Sequence, residues 1–277
     1  MFKMFLLSVL FVAHRGEYES APEGSLAAFR VAMQRGDDII KLDVCETKDG
    51  IPVISHDVSL SRVGGWDVKI ADVTLSEIKE KCILKPSRAD SQWKSERVPT
   101  LAEVIAETKD APGFWVDFKM FNPAFAERVL EEFERADIPL SRVSVATFSV
   151  PALEYMKKQH PSVCRIGHVD FGFNHPRLPG KMHCSCCGKW VEIAGHSLWE
   201  CVEAYARRLG LSGVNLPCAD DVVTKDVVER FHQLGCKVAM HFVSNPKVAV
   251  KYAEMGVDIF VTGYSVEARE ALNSGEH

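Results

Sequence analysis

Much that would narrow the function is missing from this chain. It has no Gly-rich dinucleotide loop, no low-complexity tract, no long run of like charge and no obvious linker. The first absence removes the phosphate cradle of a doubly wound sheet, and the others leave no point at which to divide the chain. An excess of positive charge is also lacking. A formal net charge of −5 over 277 residues argues against nucleic acid as the main partner and leaves room for a local basic pocket. The apolar N-terminus, MFKMFLLSVLFVA, is too short to span a bilayer. Cleaving it as a signal peptide after Ala13 would remove the apolar run that leads into His14. It is therefore read as a lead-in to a buried first strand, Val9 to Ala13, with membrane association or secretion as the alternative. A disulfide framework is lacking too: nine cysteines are an odd, scattered set that suits a reducing, cytoplasmic compartment. Cys184 and Cys187, in HCSCCGKW, have CxxC spacing, with His183, His196 and Cys201 nearby. No second such pair follows, so loop thiols are favoured over a structural zinc.

What is present is a regular alternation. Hydrophobic residues make up 47% of the chain and charged residues 26%, enough to bury a core and stay soluble. Eight short apolar runs read as strands: VLFVA, DIIKLDV, GFWVDFK, RVSVATF, VCRIGHV, SGVNLP, KVAMHFV and VDIFVTG. Stretches with helical periodicity lie between them, among them GSLAAFRVAMQRG and PAFAERVLEEFERA, and several close on glycine. This pattern predicts a (β/α)₈ TIM barrel, a single domain over residues 1–277. Two regions interrupt it. Residues 46–97 form an insertion after the second strand, with a hairpin around Lys48-Asp49-Gly50, Trp66 and the helical TLSEIKEK. Residues 170–195 hold the cysteine cluster.

Barrel function belongs at the C-terminal strand ends, and charged residues gather there. His14 and Arg15 follow the first strand. Period-two alternation puts Ile39, Lys41 and Asp43 on one face of the second strand, and aliphatic Ile40, Leu42 and Val44 on the helix-facing side. On the third strand Trp115, Asp117 and Lys119 share the inward face. His56 and Asp57 end the run PVIS. So many charges in one mouth would be costly as mere structure. They suit attack on a phosphodiester, with one histidine taking a proton, the other giving one, and cations neutralising the phosphoryl oxygens. His160, His168 and His232 are read as structural.

The same residues resemble the HR…ExD…HD signature of the glycerophosphodiester phosphodiesterase family, a branch of the phospholipase-C-like TIM-barrel superfamily. AHRG, then PE and GDDIIKLDVCETKDGIPVISHD, keep its order and intervals; PTLAEVI, DFK, FVSN and GVDIFVT extend the likeness along the chain. The resemblance implies hydrolysis of glycerophosphodiesters to glycerol 3-phosphate and an alcohol, assisted by Mg²⁺ or Ca²⁺. It implies His14 and His56 as the acid–base pair, and Arg15 and Lys119 as phosphate contacts. Asp43 and Asp117 match metal ligands, and Phe242 stands in for an aromatic wall. Glu23 matches the acid after proline and is read mainly as a helix-start residue. Gly263 takes a place usually held by aspartate.

Lys41 is the main departure, because it occupies the position of the first glutamate of ExD. A dication about 4 Å from an ammonium meets roughly 8 kcal/mol of repulsion at an effective dielectric near 20. Three outcomes follow: a phosphodiesterase with weak metal binding, one in which Lys41 replaces the metal and faces the phosphate, or a catalytically impaired phosphodiester-binding module. A phospholipase-D-like lyase forming a cyclic phosphate is a further alternative. The alcohol is left open among choline, ethanolamine, inositol, a lysophospholipid and longer glycans. Trp66, Trp190 and the apolar N-terminus leave open peripheral membrane contact, and no feature specifies an oligomeric state.

Overall fold

A computed structural model describes residues 9–86, 92–172, 181–184, 189–192, 197–219 and 222–274, with the side chains of 171–197 not among the described parts. The strands are β1 (Leu10–Ala13), β2 (Ile39–Glu46), β3 (Pro52–Ile54), β4 (Gly113–Phe118), β5 (Val143–Thr147), β6 (Cys164–His168), β7 (Phe171–Gly172), β8 (Lys181–Cys184), β9 (Lys189–Glu192), β10 (Gly213–Pro217), β11 (Lys237–Val243) and β12 (Ile259–Thr262). The helices are α1 (Leu26–Arg35), α2 (Ser61–Gly64), α3 (Leu75–Lys81), α4 (Leu101–Glu107), α5 (Pro123–Arg135), α6 (Val150–Gln159), α7 (Ser197–Leu209), α8 (Lys225–Gln233), α9 (Pro246–Glu254) and α10 (Ser265–Ser274).

Eight parallel strands follow one another around a ring, β1-β2-β4-β5-β6-β10-β11-β12, and β12 returns to β1 to close it. This is the (β/α)₈ barrel that the alternation predicts, with all eight strand runs in place. The first strand starts one residue later than expected, at Leu10. Side-chain alternation sorts each strand. Ile40, Leu42 and Val44 face the helices in the main core, with Phe114, Val116, Val214 and Leu216. Val12, Trp115, Ala146, Ile166, Ala239, Ile259 and Val261 face inward with Ile39 and fill the barrel as an apolar floor. The inward positions beyond this layer, toward the C-terminal strand ends, lie above that floor.

Local sequence explains the helix ends. Ser25 caps α1 by accepting from the Ala28 amide, and Gly36 ends it in the left-handed conformation. The helix-start reading of Glu23 is thus corrected: the capping oxygen is that of Ser25, and the Glu23 carboxylate turns toward two arginines instead. Capping boxes at Thr74/Glu77 and Thr100/Glu103 start α3 and α4.

The expected hairpin forms, β2 pairing antiparallel with β3. Beyond it, Leu60, Val63, Ile70, Ile78, Leu84 and Val98 make a small separate core with Cys45 and Val53 of the hairpin. Trp66 packs against that core, and the Lys81 ammonium lies 5.5 Å from its ring. The second irregular region forms an antiparallel sheet, β7-β8-β9. The zinc expectation at Cys184 and Cys187, and the reading of Trp190, fall outside the described side chains. Among the described residues no helix is long and apolar enough to cross a membrane.

Candidate active site

Above the apolar floor the inward positions turn polar. Lys41 and Asp43 on β2 stand level with Trp115 and Asp117 on β4. The Lys41 ammonium bonds the Asp43 carboxylate and lies 3.2 Å from Asp117. Lys119 reaches the same pair, 2.9 Å from Asp43 and 2.8 Å from Asp117. Two ammoniums and two carboxylates therefore form one compact, charge-balanced cluster, in which Lys41 is only 5% exposed. Burial alone would raise Asp43 and Asp117, but Lys41 foremost, followed by Lys119 at Asp43 and by His168 at Asp117, outweighs it and holds both carboxyls well below their usual range. Lys119 is displaced upward because the two carboxylates outweigh its own burial.

His14 and Arg15 extend from the end of β1. Arg15 adopts a left-handed backbone conformation (φ 59°), followed by Gly16 at φ 74°. A Cβ on Gly16 would lie 2.8 Å from the backbone and Cβ of Ala28, so only glycine lets this turn press against α1. The turn directs Arg15 to Glu23 at 3.1 Å and leaves its Nε buried with no partner among the described residues. Arg15, Asp43, Ser55 and His56 line one small pocket.

His56 lies just beyond β3, and its Nδ1 is 2.8 Å from Asp57. Arg62, from α2, donates to Asp57 at 2.6 Å through Nε and to both oxygens of Glu23 at 2.6 and 2.7 Å. A continuous chain thus runs His56–Asp57–Arg62–Glu23–Arg15. It joins His56 to Arg15, both expected in the site, through Asp57, Arg62 and Glu23, for which the sequence predicts no linking role.

Burial, then the positive charges of Lys41 and Arg15, push the His14 imidazole well below the usual histidine value. Burial also lowers His56, opposed by Asp43 and by the Asp57 hydrogen bond. Both rings are therefore neutral near pH 7, and both border the Asp43 charge.

Three more polar side chains complete the ring. His168 at the end of β6 is 4% exposed, with Nε2 3.6 Å from Asp117 and Nδ1 2.9 Å from Asn215 Nδ2. Asn215 on β10 and His241 on β11 stand beside it, and Asn215 Oδ1 and His241 Nδ1 are buried without a partner among the described residues. Burial brings His241 down to about 3, with His168 and Lys41 adding to the effect. His168, read from the sequence as structural, thus stands in the charged ring beside Asp117. The signal was available, since Ile166 and Ala239 face inward and His168 and His241 lie two residues on. His160 and His232, in contrast, are hydrogen-bonded to Glu127 and Asp258.

An aromatic shelf flanks His14. The Phe242 ring is centred 4.9 Å from the imidazole, and Tyr18 lies 5.8 Å from His14 and 6.2 Å from Phe242. A Cβ at Gly263 would come within 3.2 Å of the Tyr18 ring, so the glycine makes room for this shelf where aspartate would crowd it.

The donor set does not fit a divalent ion. Asp43 and Asp117 are the acidic groups at the centre, each is engaged by Lys41 and Lys119, and no group of three possible ligands occurs among the described residues. A dication there would face roughly 8 kcal/mol of repulsion from each ammonium about 4 Å away, at an effective dielectric near 20.

The model of the glycerophosphoryl diester phosphodiesterase family matches residues 14–266. A glycerophosphodiester phosphodiesterase of Caldanaerobacter subterraneus subsp. tengcongensis is 32% identical over 166 residues, 58% of this chain and 66% of that protein. Human glycerophosphodiester phosphodiesterase 1 is 36% identical over 96 residues, 35% of this chain and 29% of that protein. The chain thus spans less than two thirds of the length of these relatives. Among solved structures, an Oleispira antarctica phosphodiesterase in complex with the product sn-glycerol-3-phosphate superposes with a TM-score of 0.76 at 22% identity, over 96% of this chain and 97% of that one. That likeness is one of fold.

Proposed function

We propose, on the premise that the chain belongs to the glycerophosphoryl diester phosphodiesterase family, that it hydrolyses glycerophosphodiesters to glycerol 3-phosphate and an alcohol. The observation that carries this reading is the shared surroundings of His14 and His56. Both rings border the Asp43 carboxylate, and the cations of Arg15, Lys41 and Lys119 crowd the same space. That arrangement suits a phosphodiester anion between an acid and a base.

Each ring is neutral in the free chain, so one proton must be taken up when the anion binds. Cations lower both rings and Asp43 raises both, but only His56 has a carboxylate, Asp57, 2.8 Å from its Nδ1 to support a positive charge. His14 is thus the acceptor and His56 the donor. Water oxygen bonds to phosphorus as His14 takes its proton; the bond from phosphorus to the alcohol oxygen breaks, and that oxygen receives the His56 proton. Arg15, with its unpartnered Nε, Lys41 and Lys119 hold the non-bridging oxygens. Phe242 and Tyr18 wall the side next to His14.

The test is product analysis by ³¹P spectroscopy with glycerophosphocholine, glycerophosphoethanolamine, glycerophosphoinositol and a lysophospholipid. Glycerol 3-phosphate is expected, with His14→Ala and His56→Ala each losing roughly 10²–10⁴ in rate. Accumulation of a cyclic phosphate would assign a lyase instead. Bound diester without any product would assign a binding module.

A further inference from the structure

We infer that the Lys41 ammonium is a built-in cation standing where a barrel of this type would otherwise hold a divalent metal, and that the chain's phosphodiester chemistry proceeds without one. The inference rests on the proposed hydrolysis for its chemistry, but its core, a site closed to metal by its own lysine, can be tested apart from turnover.

The position of Lys41 is the first argument. It is the central charge of the polar ring: it pairs with Asp43 and Asp117, and its field reaches the imidazoles of His14, His168 and His241. A metal ion held by these carboxylates would occupy that same centre.

The second argument is confinement. Lys41 is on β2, flanked by β1 and β4, level with Trp115 and with the floor residue Ile39 beneath. Only 5% of its surface is exposed, and the floor beside and below it is predominantly apolar. Swinging it aside would place an ammonium in the floor, a far worse environment than the carboxylates it now bridges.

Charge balance is the third. Asp43 and Asp117 supply two negative charges, and Lys41 and Lys119 supply two positive ones. The cluster is already neutral, so a dication would leave it with two uncompensated positive charges, or would need to displace both lysines and break four ion pairs. A phosphodiester adds one negative charge to a neutral cluster beside Arg15, which is the favourable direction. The ammonium offers N–H donors to a phosphoryl oxygen. It gives less charge than a dication, and Lys119 and Arg15 nearby make up part of the difference.

The experiment measures metal binding and turnover separately on the same preparation. Wild-type protein is titrated calorimetrically with CaCl₂, MgCl₂ and MnCl₂, its melting temperature is recorded with each at millimolar concentration, and glycerophosphocholine turnover is followed with and without EDTA. No binding heat, no shift in Tm and unchanged turnover in EDTA are expected. Lys41→Glu, which supplies a third carboxylate, should acquire metal binding seen as a Tm rise of roughly 5 °C at saturating metal. Lys41→Gln should lose turnover by roughly 100-fold and gain no metal binding. Micromolar metal binding by the wild type, or a tenfold loss of turnover in EDTA, would overturn the inference. If Lys41→Glu does not fold, the wild-type titrations alone decide. Absence of turnover in every condition, together with absent metal binding, would refute the proposed hydrolysis while leaving the metal-closed site standing.

Discussion

Replacing Arg62 by alanine cuts the chain that links the proposed proton donor to the phosphate clamp. Arg62 donates three charge-assisted hydrogen bonds, one to Asp57 and two to Glu23, at 2.6 to 2.7 Å. Its side chain is 48% exposed, so solvent screens each bond to about 0.2–1 kcal/mol, and their sum to roughly 1–2 kcal/mol. Little of that should reach global stability, because α2 is anchored by Val63 in the small core. It should reach the site. Without Arg62, Glu23 keeps only Arg15, and Asp57 keeps only His56, so neither the ring nor the guanidinium is held from behind. A loss of 1–2 kcal/mol in transition-state stabilisation is about a 5–30-fold drop in kcat/KM. The pH profile carries the sharper test. Arg62 is the main attraction holding the Asp57 carboxyl low against its burial. Freed of it, Asp57 becomes a stronger acceptor for the His56 Nδ1–H and favours the imidazolium. The limb of the profile due to His56 therefore moves to higher pH, and Arg62→Lys should recover part of the rate. Kinetics are measured across pH on glycerophosphocholine, beside thermal unfolding. An unchanged kcat/KM with an unmoved limb would refute the positioning role, whatever happened to Tm.

Two further predictions concern stability. Gly16→Ala puts a Cβ 2.8 Å from the backbone and Cβ of Ala28 at φ 74°; the left-handed conformation and the overlap together should cost about 2–4 kcal/mol in urea unfolding, and a cost below 1 kcal/mol would remove the close-approach argument. Asp37 is 5% exposed, and burial lifts its carboxyl to about 6, against the bond to Ser265 and the attraction of Arg35 and Arg269. Because the folded value lies above the unfolded one, stability from this group is full below pH 4 and declines as pH rises toward 6. Asp37→Asn should therefore raise the unfolding free energy more at pH 7.5 than at pH 5, by up to about 3 kcal/mol at the upper pH; a pH-independent effect would contradict this linkage.

Much of this molecule could be read from one dimension. Period-two alternation in IIKLDV and FWVDFK was enough to send Lys41, Asp43, Asp117 and Lys119 inward, because a strand's side chains have only two faces and one was wholly aliphatic. Short helical and strand runs in strict succession determined the barrel for the same reason: their apolar faces have few ways to be covered. Which groups meet across the ring was not local information. His168, Asn215 and His241 come from strands far along the chain, and closure of the barrel sets them beside Asp117 and Lys41. The bridge from His56 to Arg15 through Arg62 likewise depends on an insertion folding back over the barrel mouth. The sequence could place a lysine among carboxylates; whether it turned away or bridged them depended on the confined space between β1, β4 and the hydrocarbon floor. That space exists only once the barrel has closed.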